Sequence, residues 1–178
     1  MIKIHSGKLK GQNINRVLLN TTRETASMVR EAVFNSLFNI SGNVLDLFAG
    51  SGSYGITAYS LGATNVYFID SNLKAYQTVK SNLAKLKING YVYKADYNKF
   101  LDKNTIKFDY IFIDPPFDFN KYLELIETLK SHLNKDAKVI IEIDNKTKLE
   151  INDENYEIIK EKKYGNKRVI ILNFKTAW

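Results

Sequence analysis

Residues 44–55 read VLDLFAGSGSYG, an apolar run that ends in glycines before a helical pattern begins. Gly50, Gly52 and Gly55 stand there in G-x-G-x-x-G spacing. Glycine suits that junction because the turn is tight and a ligand must approach the backbone closely. Alone the spacing is weak, since a βα turn without a ligand would look similar. Its context is stronger. Asp70 ends the next run, NVYFID (65–70), where a carboxylate can bond both hydroxyls of an adenosine ribose. Asp96 ends the third, YVYKAD (91–96), at the same edge.

Outward from this stretch, strands and helices alternate. TASMVREAVFNSLFNI (25–40) has helical spacing at Met28, Val29, Ala32, Val33, Leu37 and Ile40. Helices are expected over 54–63, closed by Gly62, over 72–87 and over 120–133, with strands at 108–114 and 137–143. Two further strand-like runs, 156–164 and 167–174, flank a Gly-Asn turn. Alternation predicts βαβ units and a parallel sheet, whereas the terminal hairpin requires an antiparallel strand. The expected fold is α/β: a single Rossmann-like, doubly wound, mostly parallel sheet with an antiparallel strand near one edge. A basic N-terminal arm and helix (1–40) precede a cofactor-binding core (41–178).

The chain has 178 residues, no cysteine and two histidines, which suits one domain and leaves little for a metal or thiolate site. The N-terminus lacks an apolar leader and no run reaches membrane-span length, so the expected location is cytoplasmic. Charge is segregated. Residues 1–23 and 160–178 each carry +5 of a total of +7, leaving −3 between them. Two basic ends form an electrostatic footprint for a polyanion.

A dinucleotide usually requires a second, substrate-binding domain, and none fits here. Asp46 precedes the glycines, facing where a cofactor's amino-acid end would lie. Both features favour S-adenosylmethionine, whose ammonium and sulfonium groups are cationic. The chain's only two prolines, Pro115 and Pro116, follow the strand FDYIFID (108–114). Each fixes its own φ and confines the residue before it to extended geometry. Lacking N–H groups, the prolines leave the loop presenting the Asp114 carboxylate and neighbouring carbonyls as acceptors, with Phe117 as a flat face. Two fixed acceptors can hold both hydrogens of a planar exocyclic amine while an aromatic ring stacks on its base.

The segment VLDLFAGSGSYG, Asp70, Asp96 and DPPF (114–117) together resemble a class I S-adenosylmethionine-dependent amino-methyltransferase. With IHSGKLKGQ, RETASMVREAVFNSLF and KKYGNKR added, the whole chain is similar to the 16S ribosomal RNA guanine-N2-methyltransferase family. The resemblance implies a monomeric enzyme that methylates one guanine of small-subunit RNA. It assigns catalysis to Asp114, Pro115, Pro116 and Phe117. Cofactor binding would fall to Asp46, Phe48, Ala49, Gly50, Ser51, Gly52, Asp70, Ser71, Asp96 and Tyr97. RNA contact would fall to Lys8, Lys10, Arg23, Arg30 and Tyr164. Where the family reads R-P-T-x-D-x-V-R-E, Glu24 replaces the proline and Ser27 the acid, and Asn72 replaces an acid after the ribose position. A DNA adenine or cytosine amino-methyltransferase and a non-catalytic RNA-binding or ribosome-assembly protein remain as alternatives.

Other residues admit two readings. His5 either meets phosphate or a base, or is a solvated loop residue, and His132 complements a helix end. Arg23 and Arg30 bind phosphate or cap the cofactor pocket, or pair with Glu24 or Glu31. Glu142 lies on the ligand side or merely solvates the edge. Tyr164 shapes the substrate mouth or packs.

Overall fold

Apolar runs form strands here because both sheet faces are covered, so successive side chains enter two different cores. The computed structural model describes residues 1–18 and 27–175. Its elements are β1 (Ile2–Lys3), β2 (Asn13–Ile14), α1 (Ser27–Asn35), β3 (Asn43–Asp46), α2 (Ser53–Ser60), β4 (Asn65–Asp70), α3 (Leu73–Leu86) and β5 (Tyr91–Lys94). They continue with α4 (Tyr97–Lys103), β6 (Phe108–Ile113), α5 (Tyr122–Leu129), β7 (Leu133–Asp144), β8 (Tyr156–Tyr164) and β9 (Lys167–Phe174). The main sheet has seven strands in the order β5-β4-β3-β6-β7-β9-β8. The first five are parallel, and β9 runs antiparallel to both β7 and β8. This is the mostly parallel α/β sheet, with an antiparallel strand near one edge, that the sequence predicts.

Val44, Val66, Phe68, Phe112 and Ile140 point into one core with residues of α1, α2 and α3. Their neighbours Leu45, Tyr67, Ile69, Ile111, Ile113, Val139 and Ile141 point into the other, under α4 and α5. The N-terminal segment belongs to the first layer. Its β1–β2 hairpin pairs Ile2 with Ile14, and Ile4 and Ile14 are buried in the same cluster as Val33 and Phe68.

Several bounds differ from expectation. The helix expected over 25–40 stops at Asn35, and Phe38 beyond it is 83% exposed; Thr25 and Ala26 lie outside the described residues. Leu37 and Ile40 still bury, but from loop backbone. The helix expected to reach 133 ends at Leu129 in a 3-10 turn, and β7 starts earlier than its apolar run. Helix α4, not foreseen, has seven residues, too few for a clear period, and is started by the Asp96 side chain accepting from Asn98 N–H at 2.9 Å. His132 does not act as a charged helix end. It is buried, desolvation lowers its pKa, and its Nδ1 lies 3.0 Å from the Asn104 side-chain amide. No helix among the described residues is long and apolar enough to cross a membrane.

Candidate active site

Each of the five parallel strands delivers an acid to the same edge. Across the sheet these are Asp96, Asp70, Asp46 and Asp114, at or just beyond the ends of β5, β4, β3 and β6, and Glu142, two residues before the end of β7. Strand β3 is flanked by β4 on one side and β6 on the other, so the connections leave it in opposite directions and open a crevice. Asp46 stands level with Phe68 of β4 and Phe112 of β6, which brings the glycine loop and the Asp114 loop to one place.

The glycine loop is held by its neighbours. The Ala49 N–H donates to the Ile69 carbonyl at 2.9 Å, and the Gly50 N–H to Asp70 Oδ2 at 2.9 Å. Gly52 turns the chain with φ 84°, and Gly50 with φ 55°, both left-handed. At Gly50 a Cβ would meet nothing within 4 Å, so the main chain there is open to a ligand. Gly55 serves packing: a Cβ would fall 2.4 Å from Phe68 Cε1, where α2 rests on β4. Its N–H donates to Asp46 Oδ2 at 3.0 Å. Asp70 also accepts the Asn72 N–H at 2.9 Å, while Asn72 caps α3 by accepting from Ala75 at 3.1 Å. Capping needs only a side-chain oxygen, so asparagine serves there in place of an acid. Ser71, next to Asp70, is exposed.

The acids interact. Burial first holds the Asp46 carboxyl well above the ordinary carboxylate range, and Asp114 and Asp70 push it further; the Gly55 N–H opposes this. Such a row favours a cationic ligand, which relieves both the desolvation and the repulsion.

Opposite the glycines, Asp114 and Pro115 are half-buried, and Pro116 and Phe117 are exposed, Phe117 at 97%. The Phe119 N–H donates to the Pro116 carbonyl at 2.9 Å, which occupies one of that oxygen's lone pairs. The expectation of several open neighbouring carbonyls is reduced by that one bond. Phe119 also completes an aromatic wall, 5.3 Å from Phe48, 5.5 Å from Tyr97 and 4.9 Å from Tyr122 between ring centroids. Phe48 and Tyr97, both expected at the cofactor, lie 5.2 Å apart.

Beneath the crevice lies a buried polar layer. The Tyr54 hydroxyl donates to Glu142 Oε2 at 2.7 Å, and Tyr54 stacks on Phe112 at 5.0 Å. Burial, then Glu142 and Asp114, raise the Tyr54 pKa, and Arg30 opposes them. Glu142 is therefore an interior partner rather than a solvating edge residue. Arg30, expected on RNA, is 4% exposed, with its guanidinium donating to the Lys3 carbonyl at 3.3 Å. It underlies the site and is not a surface phosphate contact. Lys8 and Lys10 are exposed, and Lys8 Nζ lies 3.9 Å over the Tyr59 ring. Tyr164 is half-buried against the first core, 5.2 Å below Lys162 Nζ. His5 pairs with Glu31 at 3.2 Å. Arg23 and Glu24 lie outside the described residues.

Sequence reasoning missed Phe119, Tyr54 and Asn82. The second aromatic of DPPFDF could have flagged Phe119; Tyr54 looks like an ordinary helix residue until its partner is seen, as does Asn82 of α3, whose amide donates to the Ser51 carbonyl at 2.9 Å.

The family model described as conserved hypothetical protein 95 matches residues 2–173. The ribosomal RNA small subunit methyltransferase D of Buchnera aphidicola subsp. Baizongia pistaciae is 34% identical over 172 residues, covering 93% of this chain and 88% of its own length. The enzyme of that name from Haemophilus influenzae is 32% identical over 173 residues, covering 92% and 89%. Among solved structures, Escherichia coli yhhF superposes with a TM-score of 0.87 at 27% identity, covering 98% of each chain.

Proposed function

This chain belongs to the conserved hypothetical protein 95 family, and from that premise we propose that it methylates the exocyclic N2 amine of a guanine in small-subunit ribosomal RNA. The reaction class is methyl transfer to ribosomal RNA, and the methyl donor is S-adenosylmethionine. Residues at the carboxyl edge fit that donor. The space over Gly50 admits it, Asp70 offers a carboxylate for ribose, and the raised Asp46 carboxyl marks a place where positive charge is wanted. Phe48, Tyr97 and Phe119 offer an apolar wall for the adenine. Ala49, Ser51, Gly52, Ser71 and Asp96 complete its surroundings. When bound, the donor supplies an electrophilic methyl group on a sulfonium.

The chain's own residues prepare the amine. One hydrogen goes to the Asp114 carboxylate and the other to the Pro115 carbonyl, which turns the nitrogen lone pair away from the ring. Phe117, projecting into solvent, stacks on the base. Methylation would form the N–C bond as the donor's methyl–sulfur bond breaks, and an Asp114 oxygen would take the proton the amine then gives up. Tyr54 and Glu142 form a buried floor under this lip, with little freedom to shift. A base reaches such a pocket only from a loop or after leaving its stack. Lys8 and Lys10 on the arm, with Arg23, meet RNA phosphates.

The observation that carries this reading is the placement of the Asp114–Pro115 acceptors across from the glycine loop, at the ends of adjacent strands. Methyl-labelled donor offered to small subunits, free ribosomal RNA, DNA and bulk protein tests it. N2-methylguanosine in the RNA digest is the expected product. Label on adenine, on cytosine or in protein overturns the guanine assignment.

A further inference from the structure

The N-terminal arm is fastened to both helices that start at the cofactor loops. On α2, which begins at the glycine loop, Ser60 Oγ donates to the Ser6 carbonyl at 2.7 Å and accepts the Leu9 N–H at 2.9 Å. The Ser60 carbonyl also accepts the Lys8 N–H at 2.9 Å. Gly7 makes this approach feasible, because a Cβ there would sit 2.1 Å from the Ser60 carbonyl oxygen. On α3, which begins just past Asp70, the fastening is Asn82, 0% exposed. Its Oδ1 accepts the Asn15 N–H at 2.8 Å, and its Nδ2 donates to the Asn15 carbonyl at 3.0 Å and the Ser51 carbonyl at 2.9 Å. One side chain therefore grips both main-chain groups of an arm residue and the carbonyl between the first two glycines of the cofactor loop.

We propose that Asn82 is a positioning residue that couples RNA held by the arm to cofactor binding at the glycine loop. This rests on the reading of arm and loop given above. Buried donors and acceptors are costly to leave unmade, so these three bonds tie the position of Asn15 on the arm to that of Ser51 in the loop. Lys8 lies within the segment fastened to Ser60, so a phosphate bound there steadies the arm and, through Asn15, the Asn82 amide. The Ser51 carbonyl is then fixed before the cofactor arrives, and less ordering remains to oppose its binding. Linkage requires the reverse as well: cofactor tightens RNA by the same factor.

The test is a calorimetric titration with S-adenosylhomocysteine, which binds without turnover, with and without saturating small-subunit ribosomal RNA. In the unaltered protein RNA is expected to tighten the ligand by roughly fivefold or more. In Asn82→Ala that ratio is expected to fall to unity. A merely structural Asn82 would lower the melting temperature or the RNA-free affinity while leaving the ratio intact, and that result overturns the proposal. So does a ratio of one in the unaltered protein. Should the alanine variant fail to fold, Asn82→Asp, isosteric and lacking both donors, is read in the same way. Failure of the ligand to bind, or of RNA to become methylated, would instead overturn the proposed function; a working enzyme with a ratio of one sinks the coupling alone.

Discussion

The two walls of the crevice are built differently. The glycine loop is buried or half-buried, and its main chain is committed to Asp46, Asp70, Ile69 and Asn82. The proline lip across from it is stiffened by two fixed φ angles and one turn bond, and its aromatic tip stands 97% exposed. A small flexible cofactor benefits from a wall arranged in advance, because less ordering remains at binding. A base arriving on a long RNA must be met by a projecting surface, since a recessed one would require the whole polymer to enter. On the proposed reading, the difference is one of ligand size, expressed as burial.

The contrast breaks most visibly at Asp114. Asp114→Ala is expected to lower turnover roughly 10²–10⁴-fold with cofactor affinity nearly intact, as read by single-turnover kinetics beside calorimetry. A parallel loss of cofactor binding would show that the walls are not separate. Next comes Phe117→Ala, which touches no core and should weaken RNA by about 1–3 kcal/mol in a filter-binding assay. No change in melting temperature is expected, and an undiminished RNA affinity would deny the stacking role.

On the other wall, Gly55→Ala drives a methyl group into the buried Phe68 ring. Overpacking of this kind costs about 1–3 kcal/mol, so thermal unfolding should come earlier and cofactor affinity fall with it. Asp46→Asn should give the smallest change and the most informative pH profile. Burial raises the Asp46 pKa in the folded protein, so its contribution to stability is full below the ordinary carboxylate range and is lost as pH rises through the raised value. A cationic cofactor prefers the ionised form, so its affinity should climb over the same interval as the proton leaves. Asparagine keeps an acceptor for the Gly55 N–H without the charge. The variant should hold its melting temperature at neutral pH, bind cofactor more weakly and lose that climb; a flat profile in the unaltered protein would remove Asp46 from the cofactor's charge balance.

Much of this was legible in the chain, for reasons that differ by residue. Gly50 and Gly52 announce a tight turn, because few other residues accept the left-handed geometry it proves to use. Asp70 and Asp96 were found by position, as acids closing apolar runs, and position along parallel strands is position along one edge. Arg30 was misplaced because a basic residue in a basic region looks solvated, whereas its helix face turns it under the site. Helix α4 escaped because seven residues beneath an aromatic cluster are positioned by a cap and their neighbours rather than by periodicity. Asn82 carries no local mark at all, since its partners lie 67 and 31 residues away.

The sequence by itself determined the chain order of the seven main-sheet strands and of the helices other than α4, the tight turn at the glycines, the stiff DPPF lip and the acids closing successive strands. These are local matters, settled by dihedral restriction and by alternation of apolar side chains. Tertiary structure alone decided that β3 and β6 are neighbours, that the Pro116 carbonyl accepts the Phe119 N–H, and that the arm is fastened through Asn82 to the glycine loop. Those depend on which distant groups satisfy one another once water is excluded, and no short window of residues contains both partners.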